Sequence, residues 1–159
     1  MPAVAEDDIM KQIINTPAVE SWNIFGQERH NPIKDAAVQG GRAIEIRVDE
    51  TKNAWDAGAM APIVKAIKKG DHLVCAVWLK TPEAAKVGLH LQLASDPYTG
   101  IGDLKEIALT TSWALYSVEV VADQDYAASA TSASLMLAYA KQTIDVGPVF
   151  VLDKEQAGR

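Results

Sequence analysis

The amino-acid sequence predicts an all-β protein with a short helix near its N-terminus. Eight or nine short segments have the residue content of β-strands and follow one another at a spacing of roughly 8–12 residues, with turn residues between them. No long helical pattern separates these segments, which disfavours a parallel α/β sheet. The spacing is typical of an antiparallel β-sandwich or barrel.

The predicted helix covers residues 5–15. Acidic residues occupy its first turn, where the helix dipole favours negative charge, and Pro17 ends it. Its apolar face is expected to hold Ile9, Met10 and Ile13. Because no repeat, linker or low-complexity tract interrupts the chain, we predict a single domain. Its parts are an N-terminal arm at residues 1–18, a β-sandwich at 19–152 and a tail at 153–159.

The predicted strands are defined by alternation of apolar and polar residues or by short apolar runs bounded by turn signals. They cover residues 43–48, 61–67, 72–80, 87–94, 104–109, 113–120, 134–139 and 143–152. The clearest alternation is that of residues 87–94. It places Val87, Leu89, Leu91 and Leu93 on one face, and Gly88, His90, Gln92 and Ala94 on the other.

Composition excludes several classes of function. With 159 residues the chain is long enough for a full core. Its net charge of −6 argues against nucleic acid and anionic membranes as partners, but not against a neutral, polyhydroxylated ligand. No apolar run approaches the ~18 residues needed to span a membrane, and no signal peptide is visible. The single cysteine, Cys75, lies in an alternating apolar segment and is expected to be a small buried hydrophobe.

Trp55 is the most informative residue for function. It lies in Asn53-Ala54-Trp55-Asp56, among polar and small residues, in a segment predicted to be a loop or a strand edge. A tryptophan in this context either plugs the edge of the sandwich or offers a flat ring face to a ligand. Covering about a third of such a ring with the apolar face of a ligand gives on the order of 1–2 kcal/mol. Two such contacts and a few hydrogen bonds give only micromolar to millimolar binding.

The order of several short motifs resembles carbohydrate-binding modules of the family 4 and family 9 type, over about residues 38–150. The motifs are Gly-Gly-Arg-Ala, Asn-Ala-Trp-Asp, Lys-Lys-Gly-Asp leading into Ala-Val-Trp-Leu-Lys, Thr-Ser-Trp-Ala-Leu-Tyr and Leu-Ala-Tyr-Ala. These modules are jelly-roll β-sandwiches of the galactose-binding-domain-like type, attached to secreted xylanases and glucanases. The resemblance therefore implies a jelly roll, a polysaccharide or oligosaccharide ligand, and a catalytic glycoside hydrolase as a partner domain. It also implies an extracellular or periplasmic location.

The resemblance also assigns roles to the aromatic residues. Trp55 falls where these modules carry a sugar-stacking aromatic, and Trp78 falls on a tryptophan that is a core residue there. Trp113 and Tyr116 match a Trp-x-x-aromatic strand, and Tyr139 matches an aromatic late in the chain.

The motifs that serve a structural calcium ion in those modules are altered in this chain. Pro17-Ala18-Val19-Glu20 replaces a Gly-Phe-Glu-type motif near the start. Near the end, Gly147 stands where an aspartate is expected, and Asp145 lies two residues earlier. We therefore predict no cofactor or metal, and a structural calcium ion is the alternative that the resemblance leaves open.

Three further residues are candidates for carbohydrate binding beside Trp55. Tyr98, in a polar loop, is either a second stacking wall or an anchor folded back on the sandwich. His90 and Gln92 share the non-leucine face of one strand. They either hydrogen-bond to sugar hydroxyls or belong to a solvated outer face. The matching face of the strand over residues 134–139 carries Ser134, Met136 and Ala138, which leave room for a glycan chain.

Signals of catalysis or of a transition-metal site are weak. The three histidines are not spaced as metal ligands, and there is no nucleophile elbow or phosphate-binding loop. Asp56, Asp96 and Asp103 are candidates for the carboxylate pair of a glycosidase, although nothing in the sequence sets their separation. We predict a non-catalytic module that binds a β-linked polysaccharide. The alternatives are a jelly-roll polysaccharide-cleaving hydrolase or lyase, and a structural or interaction β-sandwich.

Overall fold

The computed structural model of the chain describes residues 6–26, 28–49 and 52–156, with residues 6–8 described by their backbone alone. These residues form one short α-helix and ten β-strands. The elements are α1 (Glu6–Gln12), β1 (Asn23–Gly26), β2 (Glu28–Lys34), β3 (Arg42–Val48), β4 (Ala57–Ile63), β5 (His72–Lys80), β6 (Ala85–Leu93), β7 (Gly100–Leu109), β8 (Ala114–Val121), β9 (Thr131–Met136) and β10 (Gln142–Asp153).

The strands form two five-stranded sheets in which every paired neighbour is antiparallel. The first sheet has the order β1-β4-β9-β6-β7 and the second has the order β2-β3-β10-β5-β8. The predicted all-β jelly-roll sandwich is thereby confirmed. In the part of the chain that the structure describes, no helix is long and apolar enough to cross a bilayer.

The core lies between the sheets and is built by the alternation that the sequence displays. In β6, Val87, Leu89 and Leu91 are buried on the inner face, as predicted. Cys75 on β5 is also completely buried, and this burial raises the pKa of its thiol to about 12. The thiol therefore stays protonated at physiological pH and packs as a small apolar group.

The N-terminal helix is shorter than predicted, and its expected apolar face is wrong. Ile9 and Met10 are exposed, whereas Ile14 is fully buried. After α1 the chain becomes strand-like, with isolated bridges from Ile13 to β10 and from Asn15 to β4. Because of this strand-like pairing, the side chain of Ile14 points into the core. Residue 5, the predicted start of the helix, lies outside the described residues.

Several predicted strand boundaries were wrong, and two strands were not predicted. β7 begins at Gly100, within the predicted loop, and β9 covers Thr131–Met136 where a strand at 134–139 was expected. The strand expected at 61–67 is β4 (Ala57–Ile63), whose small residues have weak β-propensity and gave little signal. The sequence analysis did not define β1 and β2. Most of β2 (Glu28–Lys34) is exposed, it contains Pro32, and it forms an edge of the second sheet, so it lacks the alternation of a half-buried strand.

Trp78 is not a core residue, contrary to the role implied by the resemblance, and Trp113 is also only half-buried. Trp78 alternates with the buried Val77 and Leu79 and therefore lies on the outer face of the second sheet, half-buried. Both indoles donate hydrogen bonds on this surface. Trp78 Nε1 donates to Gln39 Oε1 at 3.0 Å and Trp113 Nε1 donates to Asp35 Oδ2 at 2.8 Å. Alternation with Val77 and Leu79 assigns Trp78 to the outside, and the resemblance misplaced it.

Asp145 on β10 is an unusual buried carboxylate. The residue is only 7% exposed, and its Oδ1 atom has no hydrogen-bond partner. Burial raises the pKa of Asp145, and the negative charges of Glu45 and Asp35 add to this effect while Lys80 opposes it. The ionised carboxylate therefore destabilises the folded state.

We expect the substitution Asp145→Asn to stabilise the protein at neutral pH. The folded-state pKa lies above the ordinary value of 3.8, so the Asp145 contribution favours folding below that pH. That contribution is lost as pH rises through the folded-state pKa. Thermal unfolding at pH 7 should show a rise in Tm of about 2–4 °C, the change that 1 kcal/mol produces in a domain of this size. Below pH 3.8 the two proteins should converge, and an unchanged Tm at pH 7 would contradict this account of Asp145.

Candidate functional site

A cleft of about 440 Å³ lies on the outer face of the first sheet. Side chains of β1, β4, β6 and β9 and of two loops line it. The lining residues are Phe25, Trp55, Met60, His90, Gln92, Pro97, Tyr98, Ser134 and Met136. All four residues proposed from the sequence for carbohydrate binding, Trp55, Tyr98, His90 and Gln92, therefore lie in this one cleft.

The floor of the cleft consists of neighbouring strands whose side chains are in register. Ser134 on β9 is paired with Met60 of β4 on one side and with His90 of β6 on the other. In the next row of the floor, Met136 lies between Gly58 and Gly88. The floor thus alternates between bulky apolar, small and polar groups over three adjacent strands.

Trp55 lies in the loop before β4, which a short 3₁₀ turn at Ala54–Asp56 holds in place. Asp56 Oδ2 accepts the backbone N–H of Asn53 at 3.0 Å, which caps this turn. The backbone N–H of Ala138 donates to the carbonyl of Ala54 at 3.0 Å, which attaches the turn to the chain after β9. The side chain of Trp55 is 61% exposed, although the backbone beneath it is fixed. An exposed ring on a fixed backbone is expected of a residue that stacks against a ligand, and not of one that fills the edge of the core.

Tyr98 lies in the loop between β6 and β7, and its side chain is 49% exposed. The Tyr98 backbone N–H donates to the carbonyl of Ser95 at 2.8 Å, and the N–H of Leu93 donates to the carbonyl of Thr99 at 2.9 Å. These bonds close a tight turn, in which Tyr98 has a φ of 55°. Across the sheet, the row of paired residues that contains Gly58 and the row that contains Gln92 are four residues apart, which is about 13 Å of strand. Trp55 comes before the first row along the chain, and Tyr98 comes after the second.

His90 and Gln92 lie beneath the cleft and are each only 6% exposed, so the alternative of a solvated outer face is wrong. Gln92 Nε2 lies 3.6 Å from the sulfur of Met60, and His90 Nδ1 is buried without a hydrogen-bond partner. Burial lowers the pKa of His90, and a hydrogen bond with Gln92 opposes part of this effect. The imidazole is therefore neutral at pH 7 and presents one unpaired nitrogen.

The depressed pKa of His90 predicts a loss of stability in mild acid. The unfolded chain takes up this proton near the ordinary value of 6.5, before the folded protein does. The His90 contribution to the free energy of unfolding is therefore complete above pH 6.5 and is lost as pH falls through the folded-state pKa. Urea unfolding at pH 7 and at about pH 5 should show a smaller decrease for His90→Gln than for the wild type. Equal decreases in the two proteins would contradict this role.

The sequence analysis missed three residues of the cleft: Phe25, Met60 and Pro97. Phe25 belongs to β1, which had no clear strand pattern. Met60 became recognisable only when β4 was placed at Ala57–Ile63, because Ala59, Ala61 and Ile63 then point into the core and Met60 points outward. A large apolar residue on the outward face of a strand was the signal that could have identified it.

One group of described residues is close enough to share a cation. Carboxylate oxygens of Asp71, Asp153 and Glu155 lie within 4.8 Å of one another. Protein groups already use several of these oxygens. Asp71 Oδ2 accepts the backbone N–H of Lys68, and Asp153 Oδ1 accepts the N–H of Glu155, each at 3.0 Å. The group shares no residue with the cleft.

No protein-family model matches this chain, and no curated protein matches it in sequence. Solved structures do match it. A structure described as "CBM4 structure and function" has a TM-score of 0.65 at 18% identity, covering 89% of this chain and 93% of that one. The xylan-binding domain CBM22-1 of Paenibacillus barcinonensis Xyn10C has a TM-score of 0.61 at 13% identity, covering 89% and 91%.

A third match includes a catalytic module. It is the structure of the CBM22-1 and GH10 modules of Clostridium thermocellum endo-1,4-beta-D-xylanase 10B in complex with xylohexaose. The TM-score is 0.60 at 13% identity, over 89% of this chain and 28% of that one. At these identities the similarities establish the fold, which this chain shares with those carbohydrate-binding modules.

Proposed function

We propose that this chain is a non-catalytic module that binds a β-linked polysaccharide, of the xylan or β-glucan type, in the cleft on the first sheet. One observation carries the proposal. The aromatic side chains that are exposed among the described residues, Phe25, Trp55 and Tyr98, all line this cleft. Large apolar groups gathered on one concave surface indicate a ligand site.

The charge of the cleft favours a neutral ligand. None of its lining residues is Asp, Glu, Lys or Arg, although the whole chain carries a net charge of −6. His90 is neutral at pH 7 because its pKa is lowered. A neutral sugar chain provides C–H faces for Trp55 and Tyr98, and hydroxyl groups for Gln92, Ser134 and the free nitrogen of His90.

The same lining favours binding over cleavage. Hydrolysis of a glycosidic bond by the usual route needs two carboxyl groups on either side of the bond. Of the three aspartates considered from the sequence, Asp56 caps the turn beneath Trp55, and neither Asp96 nor Asp103 lines the cleft. A ligand in this cleft would therefore meet stacking and hydrogen-bonding groups without a catalytic pair.

The solved structures with this fold support the choice of ligand class and suggest a setting. One of them is named for xylan binding, and another joins such a module to a GH10 module. By analogy, we propose that this chain acts outside the cell or in the periplasm, beside a catalytic glycoside hydrolase domain.

Affinity electrophoresis in gels that contain xylan, β-glucan or other plant polysaccharides tests the proposal. The wild-type protein should be retarded by at least one β-linked polymer. The double variant Trp55→Ala/Tyr98→Ala should migrate as in a gel without polymer. Leu115→Ala is a matched control, since Leu115 is an exposed residue of the second sheet and lies outside the cleft. If the wild-type protein migrates equally in gels with and without every polymer, the proposed function is refuted.

A further inference from the structure

Part of the cleft lining is apolar without being aromatic. Met60 and Met136 contribute such groups from the floor, and Pro97 contributes one from the loop between β6 and β7. Flat rings suit the C–H face of a pyranose, but a methionine side chain is neither flat nor able to satisfy a hydroxyl group. A sugar hydroxyl buried against these side chains would lose its hydrogen bonds to water without replacement.

A small apolar substituent would suit this floor better than a hydroxyl. Met60 and Met136 are diagonal neighbours on β4 and β9, since Met60 is paired with Ser134 and Met136 with Gly58. Both are partly exposed to the cleft. Methionine is flexible and polarizable, so the pair can close around a methyl group.

Hydrogen-bonding groups lie beside these methionines in the same register. The row across three strands reads Met60, Ser134 and His90. His90 Nδ1 is more than nine-tenths buried and has no partner in the protein. An ester group combines the two properties of this row, because its carbonyl oxygen accepts a hydrogen bond and its methyl group is apolar.

We propose that the cleft selects a β-linked polysaccharide that carries O-acetyl groups. The ester carbonyl would accept a hydrogen bond from Ser134 or His90, and the acetyl methyl would pack against Met60 and Met136. This inference rests on the proposed function and adds the substrate class to it. It makes the two methionines determinants of specificity, whereas Trp55 and Tyr98 bind the sugar backbone.

Calorimetry with acetylated xylo-oligosaccharides, before and after mild alkali removes the acetyl groups, tests this inference. The wild type should bind the acetylated ligand about fourfold more tightly or better, the gain expected from burying one methyl group. Met60→Ser/Met136→Ser should reduce this ratio to about one while the deacetylated ligand still binds. Met136→Leu, which keeps the apolar surface, should retain much of the preference.

The control and the contrary outcomes separate the inference from the proposed function. Met10→Ser replaces an exposed methionine of the N-terminal arm and should leave the ratio unchanged. Equal binding of both ligands by the wild type, or a preference that survives in the double methionine variant, would overturn the inference alone. If neither ligand, nor any polysaccharide in the electrophoresis panel, is bound, the proposed function itself fails.

Discussion

Replacing Trp55 by alanine is expected to reduce the affinity for polysaccharide by tenfold or more, which is about 1.4 kcal/mol or more of binding free energy. Trp55 is 61% exposed in the free protein, so a sugar ring has a large apolar face to cover. Isothermal titration calorimetry with a ligand that retards the wild type measures the loss. Tm should change little, because Trp55 contributes little to the core and backbone bonds at Ala54 and Ala57 hold its loop.

A matched control separates loss of the platform from a general effect on the loop. Phenylalanine at position 55 keeps a flat ring in the same place and should retain most of the affinity. An unchanged affinity in Trp55→Ala would show that the ligand does not stack on this residue. A large drop in Tm would show instead that Trp55 plugs the edge of the sandwich, which is the alternative considered from the sequence.

Replacing Asn15 by alanine is expected to have the largest effect on stability. Asn15 is buried, and its side chain bonds to two backbone groups of β10. Asn15 Nδ2 donates to the carbonyl of Val149 at 2.9 Å, and the N–H of Val151 donates to Asn15 Oδ1 at 2.8 Å. Beyond the irregularity at Gly147–Pro148, β10 no longer pairs with β3, and the segment around Asn15 supplies partners along that edge.

Asn15→Ala should lower the free energy of unfolding by about 2–4 kcal/mol, because two buried backbone groups lose their partners. Urea unfolding measures this change, and the m-value should stay constant if the native fold is retained. Asn31→Ala, at an exposed position of β2, should change stability by less than about 0.5 kcal/mol. Equal stabilities of the two variants would show that the N-terminal arm does not contribute to holding the sandwich together.

The fold was predictable where apolar and polar side chains alternate along a strand. In β6, and in β3 from Ile44 onward, apolar residues occupy every second position, so the sequence indicated both the strands and their inner faces. At the exposed edge strand β2 this contrast disappears, and in the alanine-rich β4 the side chains are too small to give a clear signal. The segment at Asn15 was missed because its conformation depends on bonds to β10, more than 130 residues away.

The candidate site was predictable to the extent that it depends on local context. Trp55 and Tyr98 stood out as aromatics among polar and small residues, and alternation placed His90 and Gln92 on one face. That these four residues lie in one cleft depends on the strand order, which brings β9 between β4 and β6. No local pattern contains that order. Phe25 and Met60 were missed for the same reason. Which side chains of β1 and β4 face the cleft is decided by the strands they pair with, and no local pattern shows that pairing.

The four tryptophans provide the most direct test that the cleft is the binding site. Three of their indole N–H groups are bonded within the protein: Trp22 to the Gly147 carbonyl, Trp78 to Gln39 and Trp113 to Asp35. Trp55 lies in the cleft. In a ¹H–¹⁵N NMR titration with a bound oligosaccharide, the indole signal of Trp55 should move most and the other three should move little. A titration that saturates while the Trp55 signal stays fixed and that of Trp78 or Trp113 moves would place the ligand on the second sheet and contradict this account.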